Sequence, residues 1–288
     1  MIDHSTKIVG VIGHPIKHSL SPLMHNLSFR KQRLNYAYLP FDVVSNNLKD
    51  ALKSISALGI RGLNVTIPHK EKIIQYMDHV SEAAASVGAV NTVVNENNQL
   101  FGYNTDIDGI IESLDSYKHQ LNKCTVTVIG AGGAARSVMH TLIRHFKVEK
   151  INVLNRTVER AESIKDYFRA KMHFDGIEAF ELMPKDNLKI LQKSDLIVNA
   201  TSIGMSPNFD DTPTRWAESF NSNQIVLDLI YNPLRTKFLK LAESRGATVI
   251  NGLKMFIVQG AKSFELWTGQ AMDIQGTQTE LQKLLNNY

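Results

Sequence analysis

Asn64-Val65-Thr66-Ile67-Pro68-His69-Lys70 carries an amide, a hydroxyl and an ammonium to the end of one short β-prone run. Each residue also has a local role, since Asn and Thr often satisfy nearby backbone groups and Lys is ordinarily solvated. The company they keep turns the reading toward chemistry. Ser19-Leu20-Ser21-Pro22 lies upstream, Ala89-Val90-Asn91-Thr92 and Asn104-Thr105-Asp106 follow, and a glycine-rich signature begins at Gly130. Ser21 with Pro22 reads as a helix start, Ser as N-cap and Pro at the first helical position. Ser19 is not needed for that cap, and two hydroxyls beside a helix N-terminus make a site for a carboxylate.

A second group of residues could hold a nucleotide. Thr125–Ile129 has the pattern of a buried strand, Gly130-Ala131-Gly132-Gly133-Ala134-Ala135 is a glycine-rich turn, and Arg136–Phe146 spaces Val138, Leu142, Ile143 and Phe146 as a helix does. Glycine permits the tight turn and the close approach of a pyrophosphate, met by backbone N–H groups and the helix dipole. The bland reading is a tight βα turn without a ligand. At the end of the next strand an NAD enzyme commonly places a carboxylate; here stand Asn155-Arg156-Thr157, with Arg160 four residues beyond Arg156. Two arginines sharing a face at a helix start could clamp a 2′-phosphate, which favours NADP over NAD. Glu159 and Glu162 compete for them as ion-pair partners. Asp195–Met205 reads as a buried strand and a polar loop that would set Thr201, Ser202 and Met205 along the dinucleotide.

These groups must be positioned by an α/β fold. Strand-like and helix-like segments alternate along the whole chain, as in largely parallel sheets. Strands are expected at 7–13, 35–43 and 62–67 with helices at 22–33, 46–58 and 69–80, then a hairpin of 90–94 and 99–103 around Asn95-Glu96-Asn97-Asn98. A helix from Asp106 bridges to a second domain with strands near 125–129, 150–155, 195–200, 225–230 and 247–250. Leu253–Thr268 and Asp273–Asn286 read as helices that pack back on the first domain. The 288 residues allow two domains of ordinary size, and 43% hydrophobic with 21% charged residues is the balance of a globular protein. No apolar run is long enough to span a bilayer and the short polar N-terminus has no signal-peptide core, so a cytoplasmic protein is expected. The +4 formal charge is dispersed and does not suggest nucleic-acid binding. Cys124 is the only cysteine, which rules out an internal disulfide. No metal pattern is present, because Pro15 breaks the helical spacing of His14 and His18.

Taken together, the motifs from Gly13 to Gln259 resemble the shikimate dehydrogenase family. The resemblance implies two α/β domains: a substrate-binding catalytic domain of residues 1–105 with 254–288, and a Rossmann-type NADP-binding domain of residues 106–253. It implies that Ser19 and Ser21 hold a substrate carboxylate, with Tyr231, while Asn64, Thr66, Lys70, Asn91, Asp106 and Gln259 surround the ring hydroxyls. Leu229, Gly252 and Met255 would line the nicotinamide pocket, and Gly130, Ala131, Gly132, Gly133, Ala134, Asn155, Arg156, Thr157 and Arg160 would hold the rest of NADP. The implied reaction is reversible oxidation of a ring alcohol to a ketone, with Lys70 and Asp106 managing the hydroxyl proton. Quinate is the alternative substrate, and a regulator that senses the same ligands without turnover is an alternative of a different class. A small-molecule substrate is the only partner expected beyond the cofactor, in a monomer or homodimer. The stretch Tyr167–Pro184 looks longer than the family pattern and is assigned to surface elements of the nucleotide domain.

Overall fold

The computed structural model describes residues 2–17, 19–183 and 185–285. His18, Pro184 and Asn286, each part of an expectation above, lie outside the described residues. The chain divides into two compact units, one of Met1–Asp108 and Ile257–Tyr288 and the other of Gly109–Phe256. Among the described residues no helix is long and apolar enough to cross a membrane.

In the first unit β1 (Lys7–Gly13), β2 (Tyr36–Asp42), β3 (Gly62–Val65), β4 (His79–Val80), β5 (Thr92–Glu96) and β6 (Gln99–Tyr103) form one sheet in the order β2-β1-β3-β5-β6-β4. β2, β1 and β3 are parallel, connected through helices Ser21–Lys31 and Leu48–Ala57. β5 reverses against β3, and β6 reverses against β5. The turn between them is tighter than expected: Asn97 and Asn98 take φ of 52° and 63°. A two-residue turn of this hand matches the right-handed twist of its strands, so Asn95 and Glu96 join the ladder. Helix Leu48–Ala57 buries Leu48, Leu52 and Ile55 as one stripe against Ile12, Leu63, Val65 and Val93. Each such side chain contributes about 2 kcal/mol relative to exposure. On helix Leu253–Thr268, Phe264 and Trp267 are buried beside His25, Phe29 and Tyr38, with Trp267 Nε1 donating to Val93 O at 3.0 Å.

One expected helix fails. Over 69–80 only a 3-10 turn, Lys72–Tyr76, forms before β4. Asp78 N–H donates to Leu100 O at 2.9 Å, and the Asp78 carboxylate accepts from Leu100 N–H at 2.7 Å. Pairing with β6 thus outcompetes continuation of the helix, as tertiary contacts override a weak local preference.

The second unit holds β7 (Thr125–Ile129), β8 (Lys150–Asn155), β9 (Ile177–Glu181), β10 (Leu196–Asn199), β11 (Ile225–Asp228) and β12 (Thr248–Ile250), all parallel, in the order β12-β11-β10-β7-β8-β9. This is the doubly wound dinucleotide-binding order, with its switch point between β7 and β10. β10 and β11 are buried throughout, as strands covered on both faces must be. The stretch assigned to surface elements contributes the end of helix Val158–Met172 and then β9, an edge strand that buries Ile177. Burial pushes the Cys124 thiol up to about 12.

Candidate active site

The reversal of β5 places three strand ends at one sheet edge. Asn64 pairs with Thr92 and Thr92 with Tyr103, so the end of β3, the start of β5 and the end of β6 are neighbours. Lys70 and Asp106 meet there. Lys70 Nζ donates to Asp106 Oδ2 at 2.6 Å, with the side chains 15% and 4% exposed. Asn91 Nδ2 donates to the other carboxylate oxygen at 2.8 Å. Asn91 has one amide orientation, because its Oδ1 accepts from the Thr105 backbone N–H at 2.7 Å, which can only donate. Gln259 Oε1 lies 3.4 Å from Asn91 Nδ2. Asn64 Oδ1 accepts from the Tyr38 hydroxyl at 2.8 Å, and its Nδ2 donates to Ser263 Oγ at 2.8 Å.

Lys70, Asp106, Asn91, Asn64 and Gln259 are therefore brought together. Thr66 is half-buried just beyond β3; its N–H donates to Ile12 O and its carbonyl accepts from His69 N–H, each at 2.9 Å. That fold-back aims Lys70 at Asp106, and the Lys70 carbonyl accepts from Val90 N–H at 2.8 Å. The pair leaves two ammonium protons for other acceptors, so the site can give or take a proton at an oxygen placed beside it.

The serine pair requires a correction. Ser21 is the first residue of the helix rather than its cap, and Leu20 holds the cap position. Ser19 Oγ accepts from Ser21 N–H at 3.3 Å. The capping role thus falls to Ser19, which had seemed dispensable for it. The reason is local: with Pro22 inside the first turn, the Ser21 N–H is a donor that needs an acceptor. Nearby, His14 Nδ1 meets Asp42 Oδ1 at 2.7 Å. Among the described residues no group of three or more His, Cys, Asp or Glu is placed to hold a metal ion.

In the second unit the glycine turn leaves β7 with Gly130 at φ +111°, a left-handed conformation in which a Cβ would stand 3.0 Å from Ala200 O. At Gly132 a Cβ would meet no atom within 4 Å. That open space lies at the start of helix Gly133–Thr141, where N–H groups of Gly133 and Ala134 lack intrahelical partners. Together with buried Ala131, the turn fits an anionic bridging group. Asn155 Nδ2 donates to Thr157 O at 2.8 Å. Arg156 and Arg160 are exposed, but they do not share a helical face: Thr157 is the N-cap, so Arg156 precedes helix Val158–Met172 and Arg160 sits in its first turn. Both flank the positive end of the helix dipole, where an anion is favoured. Glu162, a competitor for them, pairs with Lys165 at 3.4 Å.

Across the switch point, Thr201 Oγ1 donates to Asn199 Oδ1 at 2.7 Å and Asn199 Nδ2 donates to Asp228 Oδ1 at 3.0 Å. Asp228 also accepts from Thr236 Oγ1 at 2.6 Å and Ile230 N–H at 3.1 Å. Burial raises its carboxyl to about 6. Ser202 and Met205 are exposed beside Thr201. Gly252 has no room for a side chain because the Leu229 carbonyl abuts it. Met255 is buried in the hydrophobic core, and Tyr231 stacks on Phe256 with ring centroids 4.1 Å apart.

A switch point carrying a glycine turn and basic residues defines a dinucleotide-binding unit; with a lysine–carboxylate pair on the same chain, it defines the class of nicotinamide-dependent dehydrogenases. The chain belongs to the shikimate dehydrogenase family. The profile of the shikimate dehydrogenase substrate binding domain matches residues 11–93, that of shikimate / quinate 5-dehydrogenase residues 112–227, and that of the shikimate 5'-dehydrogenase C-terminal domain residues 252–282. Shikimate dehydrogenase (NADP(+)) of Methanococcus aeolicus is 44% identical over 274 residues, covering 95% of this chain and 96% of that protein. A crystal structure of a shikimate dehydrogenase in complex with NADP+ superposes with a TM-score of 0.88 at 40% identity, over 99% of this chain and 98% of the other. The Thermus thermophilus enzyme in complex with NADP(H) and shikimate gives 0.82 at 36% identity, over 96% and 99%.

Proposed function

We propose that this protein catalyses the reversible NADPH-dependent reduction of 3-dehydroshikimate to shikimate, a step of aromatic amino-acid biosynthesis. The observation that carries the reading is the Lys70–Asp106 contact at 2.6 Å, buried and tied to Asn91. The unit of Met1–Asp108 and Ile257–Tyr288 binds the substrate. Ser19 and Ser21 receive the carboxylate. Asn64, Thr66, Asn91 and Gln259 orient the ring. Lys70 donates a proton to the ketone oxygen as it becomes an alkoxide and takes it back in the oxidative direction; Asp106 holds the ammonium on that oxygen.

The unit of Gly109–Phe256 holds the cofactor. Gly130, Ala131, Gly132, Gly133 and Ala134 receive the pyrophosphate, and Asn155, Arg156, Thr157 and Arg160 the phosphorylated ribose. Thr201, Ser202, Met205, Leu229, Gly252 and Met255 complete the nicotinamide end. When bound, the nicotinamide exchanges a hydride with the carbinol carbon; the protein contributes position and proton handling. The setting is the cytoplasm, as a monomer or homodimer.

The test is to follow the near-ultraviolet absorbance of reduced nicotinamide with shikimate or quinate, each with NADP+ or NAD+. Rapid reduction of NADP+ by shikimate alone is expected. Preference for quinate or NAD+ would overturn the specificity, and silence with every pair despite ligand binding would leave a regulator.

A further inference from the structure

We propose that Ser263 is a positioning residue for the reaction, the hub through which one helix sets the substrate-facing amides of Asn64 and Asn91; the inference rests on the functional reading above. Ser263 is completely buried on helix Leu253–Thr268. It stands one turn beyond Gln259, whose backbone carbonyl accepts from its hydroxyl at 3.0 Å. Its Oγ is 2.8 Å from Asn64 Nδ2, 2.7 Å from Thr92 Oγ1 and 3.3 Å from Thr105 Oγ1. One hydroxyl thus touches the end of β3, the start of β5 and the segment leading to Asp106, besides its own helix.

The donor inventory shows what depends on it. The Asn64 amide is oriented from one side by the Tyr38 hydroxyl on Oδ1 and from the other by acceptors of Nδ2. Among those acceptors Ser263 is nearest; Thr92 Oγ1 and Asn91 O lie at 3.2 and 3.3 Å. Thr92 Oγ1 in turn reaches Asn91 Oδ1 at 3.1 Å, and Thr105 Oγ1 accepts from Asn91 Nδ2 at 3.0 Å. The same Asn91 nitrogen donates to Asp106. Removing the Ser263 hydroxyl therefore takes from the Asn64 amide its nearest acceptor, leaving Thr92 Oγ1 and Asn91 O at 3.2 and 3.3 Å, and takes from Thr92 Oγ1 its 2.7 Å neighbour, leaving Asn91 Oδ1 and Thr105 Oγ1. Both groups then turn toward those remaining partners, which displaces Asn64 and, through Thr92 and Thr105, Asn91 with its bond to Asp106. Ser263 touches no reacting atom; it acts through the amides.

A double-mutant cycle of Ser263→Ala and Thr92→Val tests this, with kcat and KM measured for shikimate and for NADP+ well below each variant's melting temperature. Each single variant is expected to lose about tenfold in kcat/KM for shikimate, with KM for NADP+ unmoved. The double variant is expected to be no worse than the poorer single one, because both remove the same chain of bonds. Losses that multiply, a KM for NADP+ that rises in step, or a Ser263→Ala enzyme within twofold of wild type would overturn the proposal. If Ser263→Ala does not fold, Thr92→Val decides alone by the same criterion. Wild-type silence toward shikimate would sink the functional reading instead. In that event NMR exchange of the Asn64 side-chain amide protons decides: acceleration of about tenfold in Ser263→Ala supports the hub, and unchanged exchange overturns it.

Discussion

The two units gather their polar groups in opposite ways. In the first, a mixed sheet brings several segments to one edge, and the site is a closed set of side-chain hydrogen bonds: Lys70–Asp106, Asp106–Asn91, Asn64–Ser263. In the second, an all-parallel sheet presents a glycine turn, helix N-termini and two exposed arginines. The first arrangement is preorganised and intolerant of truncation; the second relies on backbone donors and solvated charge, which salt screens.

The sharpest way to break that comparison is Lys70→Ala. It should lower kcat by about a thousandfold, within the range for general acid–base catalysis, while KM for shikimate changes little. A large rise in KM at constant kcat would show that Lys70 only binds. The variant also takes the ammonium from Asp106, which keeps its bond from Asn91 Nδ2, and removing one partner of a buried pair costs about 3 kcal/mol, readable as a lower urea midpoint.

Acid should separate the units next. His25 is completely buried in the first unit, stacked on Tyr38 with ring centroids 4.4 Å apart, and neither ring nitrogen has a hydrogen-bond partner. Burial lowers it from 6.5 to about 3. The unfolded chain therefore binds this proton more tightly, and stability present above pH 6.5 is lost as the pH falls toward 3, by about 1.4 kcal/mol per pH unit. Asp228 in the second unit has the opposite sign. Burial raises it from 3.8 to about 6, so its contribution is fully present below pH 3.8 and is lost as the pH rises through 6. Hydrogen exchange at pH 5 should thus show the first unit losing protection relative to pH 7 while the second does not, and His25→Phe should abolish the loss in the first unit. Equal loss in both units would break the contrast.

The smallest effect is expected at the exposed arginines. Arg156→Ala should raise KM for NADP+ about tenfold, the worth of one charged hydrogen bond, with kcat and KM for NAD+ nearly unchanged. The wild-type KM for NADP+ should rise with ionic strength while that for shikimate stays flatter. An equal response of both cofactors would remove Arg156 from the phosphate site.

Local features were legible in the sequence. The β7 strand, its glycine turn and the following helix are contiguous, as are Asn155-Arg156-Thr157 and the Asn97-Asn98 turn, and each is specified by backbone preferences within a few residues. Helical spacing could also have found Ser263, four residues after Gln259 on one face. β9 was missed because Ile177-Glu178-Ala179-Phe180 does not alternate cleanly: Ile177 and Ala179 pack against one core cluster and Phe180 against another. The 69–80 helix was wrong because β6, a partner distant in sequence, claimed its C-terminal end.

By itself, then, the sequence determined the α/β class, the nucleotide turn and the inventory of polar groups, all set by local propensity and chemistry. Only tertiary structure decided which groups meet. Asn64 and Ser263 are 199 residues apart in the chain and Lys70 and Asp106 are 36. Their contacts exist because β5 reverses beside β3 and one C-terminal helix packs there, and the closure entropy of such loops is offset by the burial of the whole core rather than by any local signal.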